Sequence, residues 1–197
     1  TQKYLADEAV QRRKSMMERT ESMAHLASFE WEVDTNIVTW SPEMFRIFGR
    51  DPALGSPNLQ GQVQLYTPES TQILFDAVGK AVSDGTPYEI ELMTVQPDGE
   101  QRPCIAKGFP ERDASGRVVR VAGLVQDITE RKLAEQYERF RSHTLELLAA
   151  DDSLRALLET IVCGVEQLHP AMLCSILLLD SEGRHLGKGV APSLPDF

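Results

Sequence analysis

The chain has 197 residues, a formal net charge of −10, 42% hydrophobic residues and 25% charged residues. This balance is typical of a soluble globular protein, and the acidic charge argues against a nucleic-acid-binding module, which needs a basic face. No stretch approaches the roughly 18 consecutive apolar residues of a membrane-spanning helix. The three cysteines have spacings that fit neither a zinc site nor a disulfide framework. We therefore expect buried thiols in a cytoplasmic protein, and the missing initiator Met predicts a piece of a longer protein.

Residues 1–28 are predicted to form an N-terminal helix. The segment contains neither Gly nor Pro and is densely charged. Its apolar residues recur at a rough three-four spacing that Arg12 and Arg19 interrupt. Two alternatives stay open: a weak coiled coil, or an amphipathic helix that lies on the next domain. The apolar positions are Leu5, Ala9, Met16, Met23 and Leu26.

Residues 29–128 alternate between strand and helix signals. A Ser-Pro pair at 41–42 and a Thr-Pro pair at 67–68 predict the starts of two helices, and Asp84-Gly85 predicts the end of the second. The order of the elements predicts an α+β fold in which five antiparallel strands carry helices on one face. The predicted strands are Phe29–Val33, Ile37–Trp40, Tyr88–Val95, Arg102–Phe109 and Val118–Val125.

The last predicted strand passes directly into a helix at Asp127, Ile128 and Thr129. An Asp before a helix accepts hydrogen bonds from N–H groups of the first turn, and Glu130 is placed to reach back. We therefore predict that these three residues relay a shift of the strand to the helix. Residues 129–149 are expected to form a linker helix with a short heptad seam. The seam comprises Leu133, Tyr137, Phe140, Thr144 and Leu147.

Residues 150–197 are predicted to begin a second domain. The pattern predicts a helix from Leu154 to Leu168, a buried strand over Leu173–Leu179 and a turn over Asp180–Arg184. One helix and one or two strands cannot complete a core. We therefore expect the domain to continue beyond Phe197.

Motifs across residues 27–132 resemble those of a PAS domain. The most specific is Asp127-Ile128-Thr129-Glu130-Arg131-Lys132, and Trp31-Glu32-Val33-Asp34 and Gly85-Thr86-Pro87-Tyr88 agree with it in order. From Leu145 the chain is similar to the opening of a GAF domain, through Ala150-Asp151-Asp152-Ser153-Leu154. The resemblance implies a PAS fold followed by a partial GAF α/β segment. It also implies a bacterial multidomain sensor whose output is a diguanylate cyclase, a cyclic-di-GMP phosphodiesterase or a histidine kinase.

The PAS resemblance leaves the cofactor open, because such domains hold haem, flavin, a small carboxylate or nothing. A flavin domain of the LOV type needs an Asn-Cys-Arg-Phe stretch before the meander. This chain has no cysteine before Cys104, so we reject that possibility. Haem is not expected, because the helix from Pro68 to Gly85 carries no His ligand.

A ligand pocket is expected among the inward-facing residues of residues 29–128, although ordinary core packing explains the same positions. Arg102 and Lys107 are candidates for binding an anion, or solvated strand positions. The pocket candidates are Trp31, Trp40, Phe45, Phe48, Leu74, Ile90, Leu92, Ile105 and Val125.

No catalytic or metal-binding constellation stands out in the sequence. His143 lacks the residues that follow a phosphoacceptor histidine, so a solvated helix position is favoured. The favoured function is a sensory input region that homodimerises through its flanking helices and responds to a small molecule or partner. The output that it controls is expected to be cyclic-di-GMP synthesis or hydrolysis. The alternatives are the input region of a sensor histidine kinase and a ligand-free dimerisation scaffold.

Overall fold

The structure is a computed structural model that describes residues 12, 15, 16, 19, 20, 22–149, 153–187 and 189–194. The chain divides into two units between Thr129 and Glu130. In the described residues, the first unit contains the end of an N-terminal helix, a five-stranded sheet and two further α-helices. The second contains two α-helices and a C-terminal segment with two isolated strand bridges. Within the described residues, no helix combines the length and apolar character that crossing a membrane requires.

Five antiparallel strands form one sheet in the order β2-β1-β5-β4-β3. The N-terminal hairpin β1–β2 therefore joins the meander β3–β4–β5 where β1 pairs with β5. This arrangement confirms the predicted α+β fold and its five-stranded antiparallel sheet. The strands are β1 (Leu26–Glu32), β2 (Ile37–Trp40), β3 (Tyr88–Val95), β4 (Gln101–Arg112) and β5 (Val118–Asp127).

Two α-helices, α1 (Pro42–Ile47) and α2 (Pro68–Asp84), connect the hairpin to the meander. Two short 3-10 helices, Pro52–Leu54 and Gln60–Leu65, lie between them. The side chain of Thr67 caps α2 by accepting a hydrogen bond from the Ser70 backbone N–H at 3.3 Å. Helix α2 ends where Gly85 takes a left-handed φ of +71°, a conformation that is easy only for glycine.

The core lies between one face of the sheet and the helices α1 and α2. Both helices bury apolar residues against that face, and Trp40 stacks on Phe48 with ring centroids 5.1 Å apart. One buried polar side chain ties a helix to the sheet: the Gln96 side-chain amide donates to the Ile47 carbonyl at 2.8 Å. Because that amide is satisfied, its burial carries no unpaired donor.

The N-terminal helix is shorter than predicted. The described residues up to Met23 that belong to it are helical, but β1 begins at Leu26 rather than Phe29. Leu26 pairs with Gln126 of β5, so the sheet takes residues that were expected on the helix. Of the predicted apolar seam, Leu5 and Ala9 lie outside the described residues, while Met16 and Met23 are exposed.

The second unit contains helices α3 (Thr129–Ala149) and α4 (Leu154–Leu168). The two helices approach closely: a Cβ added to Gly164 of α4 would lie 2.1 Å from the Phe140 ring of α3. Ser153 caps α4 by accepting from the Ala156 N–H at 3.2 Å. Phe140 of the predicted heptad seam therefore packs inside this unit.

The prediction of a buried strand over Leu173–Leu179 is wrong. The segment makes only two isolated bridges in the described residues, Ile176 with Val190 and Leu179 with Leu186. Leu173 is 67% exposed and Leu179 is 63% exposed. An apolar run becomes a buried strand only when a neighbouring strand and a second layer cover it, and the described residues supply neither.

Candidate functional site

A small cavity lies in the core of the first unit, between the sheet and the helices. Its volume is about 30 Å³, which is room for about two water molecules. No lining residue is charged, and Gln62, Tyr66 and Tyr88 supply polar side chains. The lining residues are Phe29, Trp31, Met44, Leu59, Gln62, Tyr66, Leu74, Val78, Tyr88, Ala106, Val121 and Val125.

Two glycines in the middle of the sheet make room for two aromatic rings of the cavity wall. Tyr88, Gly108, Gly123 and Phe29 are consecutive partners across β3, β4, β5 and β1. A Cβ on Gly108 would lie 2.3 Å from the Tyr88 ring, and one on Gly123 would lie 2.5 Å from the Phe29 ring. Each ring therefore lies over a glycine of the neighbouring strand, a close approach that a larger residue would prevent.

Burial keeps the hydroxyl and thiol groups near the cavity neutral. Burial raises the pKa of Tyr66 well above its usual value, and Cys104 and Tyr88 raise it further. Burial also raises the pKa of Tyr88 to about 12. It raises the pKa of Cys104 to about 12 as well, with a further contribution from Asp127. The cavity thus offers phenol hydroxyls that hydrogen-bond without carrying charge.

A chain of side-chain hydrogen bonds leads outward from Trp31 of the cavity lining. The Trp31 indole N–H donates to the Asn36 side-chain oxygen at 3.1 Å, and the Asn36 amide donates to Gln60 at 2.7 Å. Asn36 has a φ of +54°, which asparagine tolerates better than most residues. The chain fixes the 3-10 helix Gln60–Leu65, which carries the lining residue Gln62.

The predicted pocket residues are divided among three locations. Trp31, Leu74 and Val125 line the cavity. Five others belong to the surrounding core without lining the cavity. Of these, Trp40, Phe48 and Leu92 are buried, while Phe45 and Ile90 are partly buried.

The expectation that Ile105 faces inward is wrong. Its neighbours Cys104 and Ala106 are 1% and 3% exposed and belong to the core, so the alternation of β4 directs Ile105 to the opposite face. One inward position of β4, Gly108, has no side chain because the Tyr88 ring lies over it. Ile105 is larger than its inward-facing neighbours but lies on the outward face, so its apolar character wrongly suggested a core position.

Most of the residues that line the cavity were not predicted from the sequence. Met44 lies on α1, and Tyr66 lies beside β3, where it bridges to Thr94. Tyr88 was read only as the start of a strand. The two strand glycines, Gly108 and Gly123, were the available signal, because glycine inside a strand often marks a close approach.

The predicted relay residues form a closely bonded joint at the end of β5. A carboxylate oxygen of Asp127 accepts from the Thr129 N–H at 2.8 Å and from the Thr129 hydroxyl at 2.6 Å. Ile128 is 2% exposed, and its N–H donates to the Pro103 carbonyl at 3.0 Å. The joint therefore anchors the first residue of α3 to the sheet.

The candidates for ionic chemistry have partners or lie at the surface. Arg102 pairs with Glu100 at 2.7 Å, and Lys107 pairs with Glu89 at 3.0 Å. His143 is exposed and lines an open groove of about 720 Å³ between α3 and α4. Among the residues that the structure describes, no group of three His, Cys, Asp or Glu side chains is arranged to hold a metal ion.

The first unit is similar to known proteins. Residues 37–125 match a family model described as "PAS fold". The chain is 26% identical over 181 residues to the "Methyl sulfide methyltransferase-associated sensor" of Methanosarcina acetivorans, covering 91% of this chain and 18% of that protein. It is 28% identical over 104 residues to the "Probable diguanylate cyclase DgcE" of Escherichia coli, covering 53% of this chain and 9% of that protein.

A solved structure agrees with the family match. A sensory box histidine kinase/response regulator from Burkholderia thailandensis superposes with a TM-score of 0.52 at 20% identity. The match covers 66% of this chain and 97% of that chain. This chain spans less than a fifth of each curated relative's length. The sheet, its helices and the matched residues 37–125 together show that the first unit has a fold similar to that of PAS domains.

Proposed function

We propose that this region is the sensory input of a larger signal-transduction protein. One observation carries the proposal: the strand that walls the cavity also ends at the relay joint. Val121 and Val125 of β5 line the cavity, and Asp127 follows two residues later. A ligand that moves β5 acts on the first turn of α3 through Asp127, Ile128 and Thr129.

The ligand class is small, largely apolar and uncharged. The lining carries phenol and amide groups but no charged side chain, so a charged ligand would lose its hydration without gaining a counter-ion. At about 30 Å³ the cavity is smaller than a metabolite, so binding requires Tyr88, Phe29 or the segment around Gln62 to move.

The proposed output is cyclic-di-GMP synthesis or hydrolysis, located C-terminal to this region. Similarity to a probable diguanylate cyclase and to a methyltransferase-associated sensor supports a sensory role ahead of an output domain. The input region of a histidine kinase is the alternative, favoured by the fold likeness to a sensory box kinase. The three unpaired cysteines, Cys104, Cys163 and Cys174, support a reducing, cytoplasmic location.

The proposed domain organisation keeps the predicted boundaries except the first, because β1 begins at Leu26 instead of residue 29. PAS residues 26–128 are followed by the signalling helix 129–149 and by the start of a GAF domain at residues 150–197. The division of the chain between Thr129 and Glu130 supports the boundary between the PAS domain and the signalling helix. The GAF assignment rests on the motif Ala150-Asp151-Asp152-Ser153-Leu154.

The proposal includes a homodimer formed through α3. None of the 21 described residues of α3 is buried, and most of the stability of a helix in a protein comes from packing of its apolar face rather than from helix propensity. Four acidic and four basic side chains give α3 no net charge, in a chain of net charge −10, so two copies do not repel each other. The exposed stripe consists of Leu133, Tyr137, Leu145 and Leu148.

Ligand binding is tested by thermal shift across a metabolite panel. We expect at least one uncharged compound to raise the melting temperature of the wild-type chain. The variant Ala106→Val fills the cavity and should lose that shift, while Ala122→Val, outside the cavity lining, should keep it. If no compound shifts the wild type, the ligand-free dimerisation scaffold is the better description.

The relay is tested in the full-length protein with Asp127→Ala. This change removes the acceptor for Thr129 and should uncouple input from output while the domain stays folded. Asp98→Ala is the matched control, because Asp98 caps the β3–β4 turn by accepting from the Glu100 N–H at 2.9 Å. Equal output from Asp127→Ala and wild type would contradict the coupling role.

A further inference from the structure

A groove runs along the outside of the first unit, beside one wall of the cavity. It lies between α2 and the start of β3, and its volume is about 450 Å³. Because β3 is an edge strand of the sheet, no further strand covers this side. The charged residues Asp76, Lys80 and Glu89 are exposed, so the groove is open to solvent. The lining residues are Ile73, Asp76, Ala77, Lys80, Thr86, Pro87, Tyr88, Glu89 and Ile90.

Tyr88 separates this groove from the cavity. Among the described residues, it is the only one that lines both spaces. Helix α2 contributes to the same wall with different residues on each side. Leu74 and Val78 line the cavity, and Ile73 and Ala77 line the groove. The Tyr88 ring is therefore the part of the wall that moves by side-chain rotation, without a shift of the helix.

Packing, rather than hydrogen bonding, holds the Tyr88 ring in place. None of the described residues forms a hydrogen bond with its hydroxyl. The ring lies over Gly108 of β4, which has no side chain to clamp it. The cavity, at about 30 Å³, has no room for an aromatic ring. A displaced ring therefore moves toward the larger groove, and that movement joins the two spaces.

We propose that Tyr88 is a gate through which small uncharged molecules pass from the groove into the cavity. In the closed arrangement the ring packs over Gly108, and in the open arrangement it lies in the groove. The open arrangement is a minor state, and a molecule that enters favours it by filling the space that the ring leaves. The inference rests on the cavity of the proposed function, but it needs neither the relay joint nor a particular ligand.

Quenching of tryptophan fluorescence by acrylamide, a small uncharged molecule, tests the gate in the whole chain. The chain has two tryptophans, and Trp31 lines the cavity whereas Trp40 does not. A Trp40→Phe background therefore reports access to the cavity, and a Trp31→Phe background reports access to the neighbouring core. Iodide is the charged counterpart of acrylamide. It should stay excluded from Trp31, because no cavity residue offers a counter-charge.

Gly108→Ala should open the gate without removing any group. The added Cβ would overlap the far end of the Tyr88 ring, with the hydroxyl 2.6 Å away, so the ring moves rather than the backbone. We expect acrylamide to quench Trp31 severalfold more strongly than in the parent background and to quench Trp40 equally in both. Tyr88→Ala should reproduce this result. Tyr88→Phe keeps the ring and should leave the quenching of Trp31 unchanged.

Met44→Ala distinguishes an opened cavity from one that is only enlarged. Met44 is 2% exposed and lines the cavity from α1, and it does not line the groove. Its truncation should leave the acrylamide quenching of Trp31 close to the parent value. Val121→Ala enlarges the cavity from β5, where Val121 is 1% exposed, and it replaces Met44→Ala if that variant does not fold.

Unchanged quenching of Trp31 in both Gly108→Ala and Tyr88→Ala would overturn the inference. Equal gains at Trp40 or with iodide would overturn it too, because they indicate general loosening of the unit. An equal gain in Met44→Ala would place the entrance elsewhere. A negative metabolite screen leaves these measurements unchanged. A compound that stabilises the wild type while the gate variants quench like the parent would support the proposed function alone, so the two proposals fail independently.

Discussion

Individual residues decide how closely the strands of the first unit pack. Gly123 on β5 sits between the Phe29 ring and the Lys107 carbonyl of β4. A Cβ at this position would lie 2.2 Å from that carbonyl oxygen, well inside van der Waals contact. Backbone of a central strand cannot move aside as a side chain can, so this glycine is required by packing.

We predict that Gly123→Ala destabilises the first unit by more than about 2 kcal/mol, because the sheet must open to admit the methyl group. Gly79→Ala is the control: nothing lies within 4 Å of its added Cβ, and it occupies an exposed position in α2. Replacing a helical glycine with alanine should stabilise by up to about 1 kcal/mol. Denaturant unfolding followed by tryptophan fluorescence measures both, and a neutral Gly123→Ala would refute the packing argument.

In the second unit, one carboxylate holds the C-terminal segment to α4. Glu166 accepts from the Cys174 N–H at 2.9 Å and from the Ser193 hydroxyl at 2.6 Å. The Cys174 N–H, and then the Ser193 hydroxyl, lower the pKa of Glu166 below its usual value. A carboxyl whose pKa is lower when folded stabilises the fold above its unfolded pKa, and that contribution is lost as the pH falls through the folded pKa.

We predict that acidification through the lowered pKa of Glu166 releases this contact, because protonation removes the charge that both donors favour. Glu166→Gln should lower the melting temperature at neutral pH. In this variant the melting temperature should also fall less than in the wild type as the pH is lowered. Circular dichroism melts across the pH range measure both effects. Glu182→Gln, in an exposed turn, is the control. Identical pH profiles for Glu166→Gln and wild type would exclude this role.

Among the secondary-structure elements, two helices begin with the same local signal but use it differently. Ser41-Pro42 opens α1 and Thr67-Pro68 opens α2. The Thr67 hydroxyl caps its own helix, whereas the Ser41 hydroxyl accepts from the Ser28 N–H of β1 at 3.1 Å. The hydrogen bond to Ser41 joins the start of α1 to the sheet. The local sequence pattern does not distinguish this arrangement from a helix cap.

We predict that Thr67→Ala lowers the free energy of unfolding of the first unit by about 1 kcal/mol, the usual cost of a lost helix cap. Trp31 and Trp40, the two tryptophans of the chain, both lie in that unit, so their fluorescence reports its unfolding. Ser153→Ala removes the cap of α4 instead and should leave the tryptophan transition unchanged. A shift of that transition by Ser153→Ala would mean that the two units unfold together.

At the scale of the whole molecule, the two units differ in how completely they bury their apolar residues. The first has a buried core on one face of its sheet. The second leaves the stripe on α3 and several leucines after residue 172 exposed. Exposed apolar area of this kind commonly marks an interface.

We predict that the chain is a dimer at micromolar concentration and that Leu145→Glu makes it a monomer, because the new charge would be buried in the α3 stripe. Ser142→Glu adds the same charge at another exposed position of α3 and should leave the dimer intact. Sedimentation equilibrium measures both variants. A monomeric wild type, or a dimeric Leu145→Glu, would contradict the proposed interface.

The elements with local signals could be predicted from the sequence alone. The Thr67 cap with Pro68 and Gly85 defined α2, and alternation defined β3 over Tyr88–Val95, both with the observed bounds. The change from strand to helix at Asp127 could also be predicted, because the apolar run of the strand ends next to a residue that favours a helix start. Such signals depend only on residues that are neighbours in the sequence, so they can be recognised without knowledge of the fold.

Which residues share the cavity and where the sheet begins depend on the tertiary structure. Leu26 belongs to β1 because it pairs with Gln126 of β5, and Ile105 faces outward because its neighbours Cys104 and Ala106 fill the inner face of β4. Tyr66 reached the cavity from a loop. These outcomes depend on the pairing register of the strands and on packing against residues that are distant in the sequence. Neither can be inferred from the local sequence pattern.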